Sequence, residues 1–119
     1  MARDLKRGDL SRNNNKLPSS ILTGRIEYEL ELLHRHVEML KIIMTNEPIG
    51  IIKLSNLSKI PQHKVRYSLR ILEQESLIQP SPDGAITTKK CKEFMPKLKN
   101  ILVGMEKTIK DLKSKVKDR

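Results

Sequence analysis

Between Pro61 and Glu75, six residues of one chemical character fall close together: Gln62, His63, Lys64, Arg66, Tyr67 and Arg70. They are cations and hydrogen-bonding groups, and no carboxylate interrupts them until Glu73. Their chemistry is recognition rather than bond breaking, since such groups bind anions and donate to phosphate or base edges. Val65, Leu69 and Leu72 recur in the same stretch at i, i+4 and i+7, the spacing of one buried helix face. The pattern predicts a helix over 62–75, buried on one side, that lays its basic side on an anion such as DNA. The plain alternative is a solvated face, with Arg70 reaching Glu73 at i, i+3.

The whole chain leans the same way. Lys and Arg outnumber Asp and Glu by 24 to 14 in 119 residues, a formal charge of +10. That surplus suits nucleic acid or an anionic membrane surface. No apolar run approaches the roughly 18–20 residues that span a bilayer, so no span is expected, and of the two anionic partners nucleic acid, not a membrane, is the one expected. The single cysteine, Cys91, excludes an internal disulfide framework and fits a reducing cytoplasm. Lys89, Lys90 and Lys92 around it would favour a thiolate and hence a redox role, against the plainer reading of an ordinary thiol at a helix start. Gly-rich phosphate loops, HExxH and nucleophile elbows are all missing, so neither catalysis nor a cofactor is expected. His34 and His36 are two apart and face different sides of a helix. They read as surface histidines, not a metal pair.

Elements must hold these residues in place. Residues 1–20 carry Gly8, Pro18 and an Asn triplet and read as a basic flexible arm. In the next stretch Leu22, Ile26, Leu30, Leu33, Val37, Leu40 and Met44 step by 4, 4, 3, 4, 3 and 4, a heptad-like seam over a helix at 21–46. At ~1.5 Å per residue it is roughly 35–40 Å long, more than one small domain needs, so its N-terminal half requires a partner. Glu47-Pro48-Ile49-Gly50 stops it, Ile51-Ile52 suggests a short strand, and 54–59 a brief helix. Ile60-Pro61 turns into the basic helix, and Pro61 suits a helix start. Pro82-Asp83-Gly84 between extended runs at 77–79 and 85–87 marks a small hairpin. From Lys89 onward Phe94, Leu98, Ile101, Met105, Ile109, Leu112 and Val116 form a second helical seam, with Pro96 marking its first turn.

Helix, tight turn, helix and hairpin over 37–90 resemble the winged helix-turn-helix family. The narrower likeness is to dimeric prokaryotic regulators of the MarR, PadR and ArsR kind, including a set of archaeal predicted regulators. The likeness rests on Leu54-Ser55-Asn56-Leu57, on Ile60-Pro61 and on the apolar pattern Val65, Leu69, Leu72. Glu73-Gln74-Glu75-Ser76-Leu77-Ile78 and Ile86-Thr87-Thr88-Lys89-Lys90 match the steps into and out of the wing. Ser76 and Lys90 stand where those families usually carry glycine.

The resemblance implies a mainly α fold with a two-stranded β-wing. It divides the chain into the arm, a DNA-binding domain at 21–88 and a dimerisation helix at 89–119. It places Gln62, His63, Lys64, Arg66, Tyr67 and Arg70 in the major groove of double-stranded DNA. There Arg66 and Arg70 would read guanine and Gln62 adenine, while Lys64, Tyr67 and Ser55 would hold phosphate. Tyr67 packing on the wing is the alternative for that residue. A homodimer would form through Ile26, Leu30, Leu33, Leu98, Ile101, Met105, Ile109 and Leu112, and could hold a small-molecule effector. The expected function is a DNA-binding transcriptional regulator reading a pseudo-palindrome. The alternatives are a winged-helix adaptor for other proteins and a non-specific chromatin or RNA binder.

Overall fold

A computed structural model describes residues 20–116, so most of the expected arm at 1–20 lies outside the described residues. Four helices and one hairpin follow in order: α1 (Ile21–Asn46), α2 (Ile51–Ser58), α3 (Gln62–Gln74), β1 (Ile78–Ser81), β2 (Gly84–Thr87) and α4 (Lys89–Lys115). This mainly helical chain with a small antiparallel sheet is consistent with a winged-helix arrangement.

The ends of the helices have local causes. Ser20 caps α1, its hydroxyl accepting from the Thr23 amide at 3.4 Å. Thr88 caps α4 by accepting from the Cys91 amide at 3.3 Å. The helix therefore starts at Lys89, and Pro96 lies inside it rather than at its first turn. Having no N–H, Pro96 removes one intrahelical bond there. Ile51 and Ile52 belong to the first turn of α2 and not to a strand. The extended residue is their neighbour Ile49, which exchanges two backbone bonds with Ala85, at 3.2 and 2.8 Å. Two adjacent isoleucines have no period, so strand and helix start look alike in the sequence.

The join between α3 and the wing is a Schellman motif. The Leu77 amide bonds the Leu72 carbonyl at 2.9 Å and the Ser76 amide bonds that of Glu73 at 2.9 Å. Ser76 sits at the left-handed position with φ 62°, a conformation that ordinarily favours glycine. Leu72 and Leu77, which flank it, are both buried. The wing thus forms without the glycine, with Ile78 paired to Thr87 and Ser81 to Gly84.

The core gathers Met39, Leu40 and Ile43 of α1, Ile49, Leu54 of α2, Val65 and Leu72 of α3, Leu77 and Ile78 at the wing, and Cys91 of α4. Burying each such aliphatic side chain is worth about 1.5–3 kcal/mol, which binds the helix-turn-helix to the C-terminal half of α1. Beyond that core both long helices run on with their apolar residues uncovered.

Candidate nucleic-acid interface

α3 is fastened on one side and open on the other. Val65, Ser68 and Leu72 are buried, and Leu69 and Ile71 are half-buried beside them. Gln62, His63, Arg66, Tyr67 and Arg70 are exposed and share an arc of about 140° at 3.6 residues per turn. Lys64 is half-buried on the flank of that arc. No side chain caps the N-terminus of α3, and no acidic residue occupies its first turn. Its leading amides and Lys64 thus lie at an end whose helix dipole favours anions.

The turn before α3 is shaped by serines. Ser55 Oγ donates to the Ile60 carbonyl at 2.6 Å, and the Ile60 amide donates to Ser58 Oγ at 3.2 Å. Lys59 takes the left-handed conformation, φ 64°, and its amide returns to the Ser55 carbonyl at 2.9 Å. The hydroxyl proton of Ser55 is thus engaged inside the protein, where it helps to hold the turn. Ser58 was not singled out from the sequence, where a serine in a short helix carries no distinguishing signal.

Ser68 links α3 to α1. It is fully buried, and its Oγ lies 2.8 Å from Nδ1 of His36 on α1. The same imidazole lies beside Tyr67, with ring centroids 5.8 Å apart and planes tilted by 44°. Burial, helped by the Arg35 guanidinium and opposed by Glu29, holds the His36 imidazole below its ordinary 6.5. His36 is therefore not a plain surface histidine, and the Tyr67 ring lies against His36 of α1. A signal existed for half of this pair: Ser68 falls between Val65 and Leu72 on the buried arc, where a hydroxyl needs a partner. The partner, 32 residues away, had none. His34 is exposed, 3.8 Å from Glu38.

Glu47 anchors the wing to the end of α1. Its carboxylate accepts from the Thr87 amide at 2.6 Å and from Thr87 Oγ at 2.9 and 3.0 Å. It also bears on Cys91, whose thiol is pushed up chiefly by burial and then by the Glu47 charge. The neighbouring lysines thus do not produce a thiolate. Buried and protonated, Cys91 behaves as a core residue.

The residues expected to join two copies divide sharply. Ile26, Leu30, Ile101, Met105, Ile109 and Leu112 are exposed, Leu33 is half-buried, and Leu98 is already buried within its own chain. Two open depressions mark the surface, one at the helix-turn-helix turn (Ser55, Asn56, Lys59, Ile60, Pro61) and one between Glu47 and Lys92. Among the described residues no group of three His, Cys, Asp or Glu is placed to hold a metal. None of the described helices is long and apolar enough to cross a membrane.

No protein-family model matches the chain, and no curated protein is significantly similar to it. Among solved structures it is similar to the activation domain of the phage T4 transcription factor MotA. The identity is 14% and the TM-score 0.49, over 90% of this chain and 99% of that one. A likeness that distant assigns neither residues nor a role.

Proposed function

We propose that the chain is a sequence-specific DNA-binding transcriptional regulator of the dimeric winged-helix kind that its motifs resemble. The observation that carries the reading is the two-sided character of α3. One side is locked by Val65, Ser68 and Leu72; the other presents Gln62, His63, Arg66, Tyr67 and Arg70 without an acid before Glu73. Arg66 and Arg70 lie one helical turn apart and discriminate guanine; Gln62 pairs with adenine. Lys64 and the uncapped amides of the first turn hold phosphate, as does the Tyr67 hydroxyl. Two copies set their α3 helices in successive major grooves about 34 Å apart.

Fluorescence anisotropy across a salt series tests this, using the duplex upstream of the protein's own gene and a scrambled duplex. The expected result is tighter binding to the native sequence that persists as salt rises. Arg66→Ala and Arg70→Ala should each cost about 1–3 kcal/mol on that site and little on the scrambled one. Equal affinities that fall together with salt, unchanged by either substitution, would reduce the protein to a phosphate binder.

A further inference from the structure

One corner of the exposed face is not made by α3 alone. Around the axis of α3 the exposed arc runs from Gln62 to Tyr67, about 140° apart, and Ser68 follows about 100° further on. Tyr67 therefore ends the arc on the side where Ser68 meets α1, and His36 of α1 stands at that corner. Its Nδ1 lies 2.8 Å from Ser68 Oγ, and its ring centroid lies 5.8 Å from that of Tyr67. Ser68 is fully buried and His36 only half-buried, so one edge of the imidazole is held inside while the ring stays partly open beside exposed Tyr67. Among the described residues neither Nε2 of His36 nor the Tyr67 hydroxyl has a hydrogen-bond partner. A helix seated in a major groove has base edges ahead of it and a sugar–phosphate strand along each flank. A group on α1, beside that flank, meets phosphate and not bases.

We propose that His36 is a DNA-contacting residue: its imidazolium and the Tyr67 hydroxyl hold one backbone phosphate in the corner between α1 and α3, so that DNA binding takes up a proton. This rests on the preceding reading, in which α3 enters the groove. Without DNA, burial and the Arg35 guanidinium oppose a charge on the ring, and Glu29 favours it. From α3 the same flank brings the Tyr67 phenol and the Lys64 ammonium, neither of them an anion. A phosphate supplies the opposite charge. Nδ1–H then donates to Ser68 Oγ, which fixes the ring, and Nε2–H donates to the phosphate beside the Tyr67 hydroxyl. The proton comes from solvent and is held more firmly in the complex than in the free protein. Binding therefore tightens as pH falls through the range in which the free imidazole is still neutral. No base is touched, so the effect is the same on any duplex.

Fluorescence anisotropy at fixed salt, from about pH 7.5 to about pH 5.5, with the native upstream duplex and a scrambled one, tests this. His63 on the exposed arc is itself an imidazole, so both chains compared carry His63→Gln. One keeps His36; the other has His36→Gln, an uncharged side chain that can still bond Ser68. Circular dichroism at each pH checks that both keep their helices. Acidification should tighten the His36 chain on both duplexes roughly fivefold more than it tightens the His36→Gln chain. Followed by NMR, the His36 ring should take its proton at a higher pH in the complex than in the free protein. Equal pH profiles or an unshifted ring overturn the proposal. So does a His36 chain that loses affinity on acidification relative to His36→Gln, the sign of a charge that loosens α3 from α1. A His36 effect confined to the native duplex overturns it too, because the group would then be reading sequence. Equal affinities for the two duplexes with the His36 effect intact would remove sequence-specific reading and support this contact. A preference for the native duplex without that effect does the reverse, and no binding to either duplex overturns both.

Discussion

The two halves of α1 are written in the same pattern and end in opposite surroundings. Met39, Leu40 and Ile43 are 0, 1 and 0% exposed, whereas Ile21, Leu22 and Ile26 are 96, 84 and 61% exposed. α4 repeats the contrast in reverse, from fully buried Cys91 near its start to half-exposed Leu112 near its end. Periodicity states which residues share a face. Whether anything covers that face depends on the rest of the chain, or on another chain, and here the covering stops where the helix-turn-helix stops. The covered region should respond to substitution as a close-packed solid and the uncovered region as a solvated helix.

The widest separation should come from one substitution made in each half of α1. Leu40→Ala empties a fully buried site and should cost about 3 kcal/mol of unfolding free energy. Leu30→Ala, at a protein concentration low enough for monomers, should stay within about 0.5 kcal/mol. Urea denaturation at two concentrations checks both. A Leu30→Ala cost that grows with concentration measures the covering supplied by a second copy.

Glycine sharpens the contrast at the wing. Gly84 has φ +131°, and a Cβ there would lie 2.5–2.7 Å from the Ile49 backbone. Gly84→Ala must push apart the bridge in which Ala85 donates to the Ile49 carbonyl at 2.8 Å. The cost should be about 2 kcal/mol, with faster hydrogen exchange at the Ala85 amide. An unchanged exchange rate would mean that the wing is not held at Ile49.

Much of this was legible before the structure. The apolar steps mark α1 and α3 almost to the residue, because an unbroken helical period outweighs local noise. Pro82-Asp83-Gly84 marks the hairpin because each residue has a turn-specific reason to be there. What escaped was set by distance in sequence. Ile49 became the strand-like residue only because Ala85 lies beside it, and Cys91 lost its electropositive setting because the core and Glu47 face it instead of its lysine neighbours. His36 looked like any surface histidine until Ser68 arrived from another helix. The recognition face itself could be drawn on a helical wheel, but that Ser55 spends its proton on Ile60 could not.

The His36–Ser68 pair tests the covered region by a different route, since it is a polar tie between α1 and α3. Its imidazole is held below 6.5, so between that value and its lowered native one the unfolded chain binds the proton and the native chain does not. Stability should be constant above pH 6.5 and fall as pH drops below it, which is the sign required when the unfolded state takes up more protons. His36→Ala should remove this slope and cost about 1–2 kcal/mol at neutral pH, because it strands the buried Ser68 hydroxyl. Thermal melts of both proteins from pH 8 to 5 provide the check. Parallel pH profiles would show that the slope belongs to other groups.

The smallest expected effect has the opposite sign and comes from the uncovered end. Gly104 lies inside α4 between Val103 and Met105, and a Cβ built there meets nothing within 4 Å. No turn or close approach requires glycine, so only its conformational freedom counts, and that opposes the helix. Gly104→Ala should therefore stabilise α4 by about 0.5–1 kcal/mol, seen as a gain in helical circular dichroism and slower exchange of the amides around it. The identical change at Gly84 is destabilising because backbone already occupies the space. A loss of stability at Gly104, growing with protein concentration, would mean that another copy of the chain approaches the helix at that point more closely than a methyl group allows.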